Sequence, residues 1–318
     1  MTNRRDFIKS ASFLTLGGLL VGNTSCKPTP EATKAATQPV VKKRIGLQIY
    51  SLGKELYADV PAGLKRVGEM GFTTIELAGY REGKIGDIEM SEFKKMSDDA
   101  GLQIISTHVN PPVREYTPAN KAEIAEFWKK AADDHAKIGV TYLVQPGQPS
   151  TRSVEETAFV GEVFNEAGQI AKAAGLSFGY HNHDREFSRV IPGGTEMKFG
   201  RGGFGRDQEG VEIVYDVLLQ NTDPSLVFFE MDVYWTVMGQ QDPVAYMQKN
   251  PDRIKLLHIK DKAVLGQSGM MNFENIFKQA YAIGIKDYFV ELEGIGEGKQ
   301  FGGVKGCIEY LQNAPFVK

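Results

Sequence analysis

The chain has 318 residues, of which 42% are hydrophobic and 24% are charged. These fractions are ordinary for a globular protein, and they exclude disordered, collagen-like and polytopic membrane classes. The net charge is −3, but the first 43 residues contain seven basic and two acidic side chains. The remainder has 30 basic and 38 acidic residues, a net charge of −8. Because an acidic body repels phosphate backbones, we expect no nucleic-acid partner.

The first residues have the composition of an export signal. Arg4, Arg5 and Lys9 precede a short apolar stretch over 11–21, which is the charge and hydropathy pattern of a signal peptide. The arginine pair, with Phe7 and Lys9 at this spacing, resembles a twin-arginine export signal. We therefore predict a signal peptide over 1–26 and a protein that is exported to the periplasm.

Cys26 lies where a lipoprotein signal peptide would be cut and acylated. Small residues, Thr24 and Ser25, precede it as such a site requires, but Asn23 stands in place of the usual aliphatic residue. Simple secretion and a lipid anchor at Cys26 therefore both remain open, and membrane contact is expected only through that anchor. Residues 27–43 are rich in Pro, Thr and Ala without apolar periodicity, which predicts a flexible linker.

From residue 44 to residue 318, short β-rich stretches alternate with amphipathic helical stretches. The predicted strands are Ile45–Tyr50, Thr73–Leu77, Gln103–His108, Tyr142–Gln145, Ser177–His183, Val227–Asp232, Lys255–Lys260 and Tyr288–Glu293. The predicted helices are 59–70, 91–100, 119–138, 154–174, 209–220, 243–250, 272–283 and 303–312. Eight βα units in this length predict an α/β fold, a single (β/α)₈ barrel. An open doubly wound sheet is the alternative, but the first strand is followed by no glycine-rich phosphate loop.

Polar residues occupy the ends of all eight predicted strands. If the aliphatic residues between them face the helices, these polar side chains point into the barrel at its carboxyl-terminal mouth. They are Gln48, Glu76, His108, Gln145, His181, His183, Glu230, Asp232, His258, Lys260, Glu291 and Glu293. Active sites of this fold lie at that mouth, so we expect a ligand there.

The last four strands supply donors suited to a divalent transition metal. His181, Asp232, His258 and Glu291 form a histidine and carboxylate set that favours one ion of Mn, Zn, Fe or Co. His183 is an alternative to His181, and Glu293 is an alternative to Glu291. The pattern does not choose within either pair.

The order and spacing of these residues resemble the xylose-isomerase-like TIM barrels known as sugar phosphate isomerases/epimerases. The resemblance extends over 44–318, and the Tyr-His-Asn-His motif at 180–183 is similar to an exported Bacteroidetes-type subgroup. It implies a metal held by Glu, Asp, His and Glu on strands five to eight. Asp232, His258 and Glu291 match this pattern, whereas His181 or His183 replaces the strand-five glutamate.

This replacement bears on the proton chemistry. In the epimerases, the carboxylates of strands five and eight pass the proton, so the resemblance implies a catalytic role for Glu291. With one carboxylate replaced by an imidazole, the other candidates for the base are Glu293, Glu230, Lys260 and whichever of His181 and His183 is not a ligand. Lys260 could instead donate to the substrate enolate oxygen or form an ion pair.

The other predicted site residues concern the substrate. Residues expected to bind an unphosphorylated carbohydrate are Gln48, Glu76, His108, Gln145 and Trp235, and Trp235 could equally be a packing residue. Arg201 and Arg206 lie in a glycine-rich segment that either grips an anion or belongs to a loop at the mouth or an oligomer contact. The sequence gives no basis for predicting the oligomeric state.

Several functions fit these residues. The first is a metal-dependent sugar isomerase or epimerase that acts through an enediolate. The second is a lyase that eliminates a β-substituent from a 3-keto-glycoside or an inosose. A non-catalytic sugar-binding lipoprotein is a further alternative. A phosphodiesterase like endonuclease IV is disfavoured, because three zinc ions would need more ligands than five histidines allow.

Overall fold

Eight parallel strands close into a barrel in the computed structural model, which describes residues 43–147, 149–194 and 210–318. The first strand pairs with both the second and the last, since Gly46 is in register with Thr74 on one side and Phe289 on the other. The barrel strands are β1 (Gly46–Gln48), β2 (Thr74–Leu77), β3 (Gln103–His108), β4 (Tyr142–Gln145), β5 (Ser177–His181), β6 (Val227–Asp232), β7 (Ile254–Ile259) and β8 (Asp287–Val290). The predicted (β/α)₈ barrel is confirmed.

Helices follow the strands and surround the barrel. They are α1 (Gly53–Ala58), α2 (Val60–Met70), α3 (Met90–Asp99), α4 (Lys121–Lys137), α5 (Val154–Ala173), α6 (Val214–Asn221), α7 (Val233–Met238), α8 (Pro243–Lys249), α9 (Phe273–Ala282) and α10 (Gln300–Asn313). Local capping sets several of these bounds. The Asp59 carboxylate accepts from the Ala62 amide at the start of α2, and Gly71 ends that helix at φ +106°.

The structure differs from the predicted elements in one helix and in the ends of several strands. The helix expected over 209–220 begins only at Val214, because Glu212–Ile213 forms an antiparallel pair with Arg189–Val190. Several barrel strands are shorter than predicted at their carboxyl ends. The chain enters a 3₁₀ helix over Ile49–Leu52 directly after β1.

The shorter strands change where the polar site residues sit. β5 ends at His181, β7 at Ile259 and β8 at Val290. His183, Lys260, Glu291 and Glu293 therefore lie just beyond the strands, on the segments that lead to the next helices. These residues still meet at the carboxyl-terminal mouth, because parallel strands all end on the same side of the barrel.

Apolar side chains fill the interior of the barrel beneath this mouth. The inner cluster consists of Ile105, Val144, Phe228, Leu256 and Phe289, all at most 3% exposed. Phe228, Leu256 and Phe289 each precede a polar site residue by two positions. Because side chains alternate along a strand, each apolar residue lies one inward step below its polar partner.

Some predictions concern residues outside the described ranges. These are the signal peptide over 1–26, the anchor at Cys26, the linker apart from Lys43, and the arginines Arg201 and Arg206. In the described ranges, no helix is long and apolar enough to cross a bilayer.

The inner cluster predicts a steric requirement for glycine in β5. A Cβ atom at Gly179 would lie 2.4–2.8 Å from three ring atoms of the buried Phe228. We expect Gly179→Ala to lower the free energy of unfolding by about 1–3 kcal/mol, because the ring has no room to move. Urea denaturation would measure this change.

Gly302, in the exposed part of α10, is the matched control. A Cβ there has no neighbour within 4 Å, so Gly302→Ala should stabilise the protein by about 0.5–1 kcal/mol through helix propensity alone. Equal effects of the two substitutions would contradict the packing argument.

Candidate metal centre and active site

Four buried donors converge at the mouth of the barrel. His181 ends β5, Asp232 ends β6, His258 lies in β7 and Glu291 follows β8. One ligand atom from each lies within 4.8 Å of the others, and none of the four residues is more than 5% exposed. The structure thus brings together the four residues that the sequence predicted as metal ligands.

Several buried atoms of this group have no hydrogen-bond partner among the described residues. They include both ring nitrogens of His181 and the Oδ2 atom of Asp232, which lies 3.7 Å from His181 Nε2. Unpaired polar atoms at such depth are costly unless a ligand satisfies them. Imidazole nitrogens and carboxylate oxygens are the usual ligands of Mn, Zn, Fe and Co. The residues present therefore fit a divalent metal ion.

The ionisation of His181 suits it to this role. Burial lowers the pKa of His181 well below its usual value, and the nearby His258 and His108 lower it further. A neutral imidazole has a lone pair to offer to a metal ion. Burial raises the pKa of Asp232 to about 7, although Lys260 opposes this rise. A cation at the site would favour the ionised carboxylate.

The ring of His258 is oriented by a buried carboxylate. His258 Nε2 lies 2.6 Å from Glu76 Oε2, whereas Nδ1 faces Glu291 at 3.3 Å. Glu76 also accepts hydrogen bonds from Gln48 Nε2 at 2.8 Å and Ser106 Oγ at 2.6 Å. Gln48 and Glu76, which the sequence predicted to bind substrate, are both fully buried in this network beneath the site. The hydrogen bond to Glu76 occupies Nε2, so Nδ1, on the side of Glu291, is the atom that would serve as the metal ligand.

Lys260 lies between two glutamates. Its Nζ atom is 2.9 Å from Glu291 Oε2 and 2.8 Å from Glu293 Oε2, and it stands 5.0 Å above the ring of Trp235. Burial would raise the pKa of Glu291, but His258 and Lys260 together hold it below its ordinary value. The carboxylate of Glu291 is therefore a weak base. Trp235 contacts Lys260 and the ring of His183 at the edge of the site.

His108 and Glu230 form a second buried pair. His108 Nε2 lies 2.8 Å from Glu230 Oε2 and 3.2 Å from Glu76 Oε2. Burial and the charge of Glu76 raise the pKa of Glu230, and its Oε1 atom has no hydrogen-bond partner among the described residues. His108, His181, Glu230 and His258 also bring ligand atoms within 4.8 Å of one another. Glu230 is enclosed beneath the cavity, whereas His108 faces it.

A cavity of about 340 Å³ opens above these residues. One side of its lining includes His108, His181, His183, Glu291 and Glu293. Of the five residues predicted to bind substrate, His108 alone contributes to the lining in the described part of the chain. Burial lowers the pKa of His183 to about 4, so its imidazole is neutral at pH 7, and the residue lines the cavity.

The predicted inward orientation of Gln145 is wrong. Val144, predicted to face the helices, packs in the inner cluster, so the alternation along β4 is shifted by one residue. The Gln145 side chain accepts from the Tyr116 hydroxyl at 2.9 Å and donates to the Gly147 carbonyl oxygen at 2.7 Å. Gln145 therefore supports the loop after β4 instead of contacting the cavity.

Two features of the site had no sequence signal. Glu186, in a short 3₁₀ helix after β5, accepts from the Tyr180 hydroxyl and from the His183 amide. Burial raises the pKa of Glu186 to about 7. The side chain of Asn182 accepts from the Asp232 amide at 3.2 Å. Both contacts hold the Tyr-His-Asn-His segment in place, and both depend on loop geometry that periodicity does not reveal.

The ion pairs of Lys260 predict a measurable effect on stability. The Glu291 side chain is only 7% exposed, and Lys260→Met would remove its nearest cation. We expect the free energy of unfolding of the metal-free protein to fall by about 3 kcal/mol at pH 7, as measured by urea denaturation.

Lys305, which pairs with Glu309 on the exposed face of α10, is the matched control. Lys305→Met should change stability by less than about 1 kcal/mol, because solvent screens that pair. If both variants lost the same stability, the buried ion pair would not be the cause.

Comparisons with known proteins identify the family of the chain. The model of the xylose isomerase-like TIM barrel family matches residues 64–313. An inosose dehydratase from Clostridium beijerinckii is 25% identical over 223 residues, which are 64% of this chain and 66% of that protein. An inosose dehydratase from Halalkalibacterium halodurans is 32% identical over 102 residues, 31% of this chain and 26% of that protein. The chain thus spans less than two thirds of either enzyme.

Solved structures match over a larger share of this chain. A sugar phosphate isomerase/epimerase from Parabacteroides distasonis is 54% identical, with a TM-score of 0.80, and the match covers 87% of this chain and 100% of that one. D-psicose 3-epimerase from Clostridium cellulolyticum shares the fold at 15% identity and a TM-score of 0.60, covering 84% of this chain and 97% of that one. On the family match over most of its length, this chain belongs to the xylose isomerase-like TIM barrel family.

Proposed function

We propose that this protein is a divalent-metal-dependent enzyme that isomerises or epimerises an unphosphorylated sugar or ketosugar. The observation that carries the proposal is the set of four buried donors, His181, Asp232, His258 and Glu291, with unpaired atoms at the floor of a cavity. When bound, the ion would act as a Lewis acid toward a substrate carbonyl or hydroxyl oxygen. Its identity among Mn, Zn, Fe and Co is left open.

The chain's own residues supply the proton chemistry. His183 and Glu293 both line the cavity, and the imidazole of His183 is neutral at pH 7. We assign the removal of the proton next to the carbonyl to one of these two residues. Lys260, whose ammonium is held at the same edge, would donate to the developing enolate oxygen. Return of the proton to another carbon gives isomerisation, and return to the opposite face gives epimerisation.

A lyase is the second candidate, and a specific observation favours it. His181 replaces the strand-five carboxylate, and Lys260 and His258 keep Glu291 weakly basic. An exchange of protons between two carboxylates is thus disfavoured. After the same proton removal, the electron pair can break the bond to a β-oxygen substituent, and a proton from an acid of the site completes the leaving group. The similarity to inosose dehydratases supports this alternative.

Metal content tests the first step of the proposal. We expect mass spectrometry of the purified protein to find about one equivalent of Mn, Zn, Fe or Co, lost in both Asp232→Ala and His258→Ala. The exposed variant Asp98→Asn, whose carboxylate pairs with Lys94, is the control and should keep the ion. A folded wild-type protein that takes up no added ion would refute the proposal and favour the non-catalytic sugar-binding protein.

Solvent exchange tests the chemical step. With the protein loaded, a keto sugar or a 3-keto-glycoside in D₂O should lose the proton next to its carbonyl, as followed by NMR. Both the isomerase and the lyase require this exchange, and the product then separates them. Absence of exchange with every keto substrate would refute the shared enediolate step.

The carboxylate beneath His258 predicts an effect on metal affinity. Glu76→Gln removes the charge that orients the His258 ring, so the dissociation constant for the ion should rise by about 10- to 100-fold. Titration against a chelator measures it. Ser106→Ala is the control, since it removes one of the other hydrogen bonds of Glu76 but leaves its charge, and it should change affinity far less. Equal affinities of wild type and Glu76→Gln would contradict the orienting role.

Export to the periplasm and a lipid anchor at Cys26 stay predictions of the amino-terminal sequence. They suit an enzyme of unphosphorylated sugars, because phosphorylated sugars are rare outside the cytoplasm.

A further inference from the structure

The cavity has two chemically different halves. The half that holds the candidate metal ligands is lined by His108, His181, His183, Glu291 and Glu293. The other half is lined by Tyr50, Ala78, Gly79, Asn110 and Pro146, which follow the first four strands. None of these five residues is charged. A ligand that fills the cavity therefore meets ionisable groups at one end and neutral groups at the other.

Tyr50 is unusual in the neutral half. It is 61% exposed, and it is one of three large hydrophobic side chains exposed in the described ranges, the others being Tyr57 and Met270. Its backbone is held in place, because the Tyr50 amide donates to Gln48 Oε1 at 3.0 Å, and Gln48 in turn binds Glu76. An exposed aromatic ring on an anchored backbone presents an apolar face to the cavity.

Asn110 adds a polar group to the same half. Its Oδ1 atom accepts from the Gly147 amide at 3.0 Å, which fixes the orientation of the side chain. In the described part of the chain its NH₂ group has no acceptor, so it is free to donate to a ligand. Gly79, at φ +82°, also lines the cavity and adds no side chain to the space.

We propose that this neutral half, the outer subsite, binds a second sugar ring of the substrate. The proposal rests on the proposed function and refines its substrate class, from a single free sugar to a glycoside of at least two rings. The Tyr50 ring would stack on the C–H face of the second pyranose, and the Asn110 amide would donate to one of its hydroxyls. The reacting ring would then lie against the ionisable half. In the lyase, the second ring leaves with the glycosidic oxygen.

The chemistry of the outer subsite distinguishes a sugar from other occupants. A phosphate or carboxylate group would need a cation, and none of the described residues that line this half is basic. A purely apolar aglycone would cover the Asn110 amide without satisfying it, which costs free energy. A pyranose ring has both an apolar face and hydroxyl acceptors, so it matches the pair of groups present.

Binding of unreactive glycosides tests the outer subsite. Methyl β-cellobioside and methyl β-D-glucopyranoside lack a free carbonyl, so neither can form an enediolate in the metal-loaded protein. Isothermal titration should show the two-ring ligand binding about tenfold more tightly than the one-ring ligand. Tyr50→Ala should remove this advantage and leave the affinity for the one-ring ligand unchanged. Tyr50→Phe should keep the advantage, because the aromatic face remains.

Tyr57→Ala is the control, since Tyr57 is 45% exposed and lies outside the lining of the cavity in the described residues. It should leave both affinities unchanged. Equal affinity of the wild type for the two ligands would overturn the proposal, as would binding of neither, or equal weakening of both by Tyr50→Ala. Tighter binding of phenyl β-D-glucopyranoside than of the cellobioside would assign the subsite to an aromatic aglycone instead. Metal content and solvent exchange are measured separately on the same protein, so the subsite can fail while the proposed function stands.

Discussion

Burial of ionisable side chains at one end of the barrel is the constraint on which the rest of the site depends. Glu76, Glu230 and Asp232 are fully buried, and His258 and Lys260 are at most 1% exposed. Removing such charges from water is costly unless each finds a partner. The hydrogen bonds of Glu76 and the ion pairs of Lys260 meet this requirement, whereas His181 and one oxygen of Asp232 find no hydrogen-bond partner within the described ranges. The unpaired atoms mark the position where a bound ligand would stabilise the site most.

The barrel provides the rigidity that this arrangement needs. The inner cluster fills the interior directly below the polar layer, and Glu230, His258 and Glu291 each lie two positions beyond one of its members. This packed floor supports the polar side chains from below. The buried network of Gln48, Glu76 and Ser106 then sets the orientation of His258 from the opposite side of the barrel. Side chains from strands that are far apart in sequence thus fix the orientation of one imidazole ring.

In the resemblance to the sugar isomerases/epimerases, His181 stands where a strand-five carboxylate is expected. Glu291, which follows β8, is paired with Lys260, so its negative charge is balanced within the protein. Neutral His183 and the partly exposed Glu293 are the groups with access to a substrate proton. In the alternative lyase reaction, this asymmetry would favour proton removal followed by loss of a leaving group, and the proposed outer subsite would hold that group.

The amino-acid sequence by itself predicted the eight βα units and the polar ends of the strands, because both depend on local periodicity. It offered Asp232 and His258 as metal ligands, with His181 or His183 and Glu291 or Glu293 beside them, and the structure brings His181 and Glu291 to the other two. Its predictions for Gln48, Glu76 and Gln145 as residues that contact substrate were not matched by their positions. Periodicity assigns a face to a side chain but not its depth, and a one-residue shift in β4 turned Gln145 away from the interior. Only the tertiary structure decided that Glu76 orients His258, that Lys260 restrains Glu291 and that Tyr50 lines the cavity, since these contacts join segments that are distant in the chain.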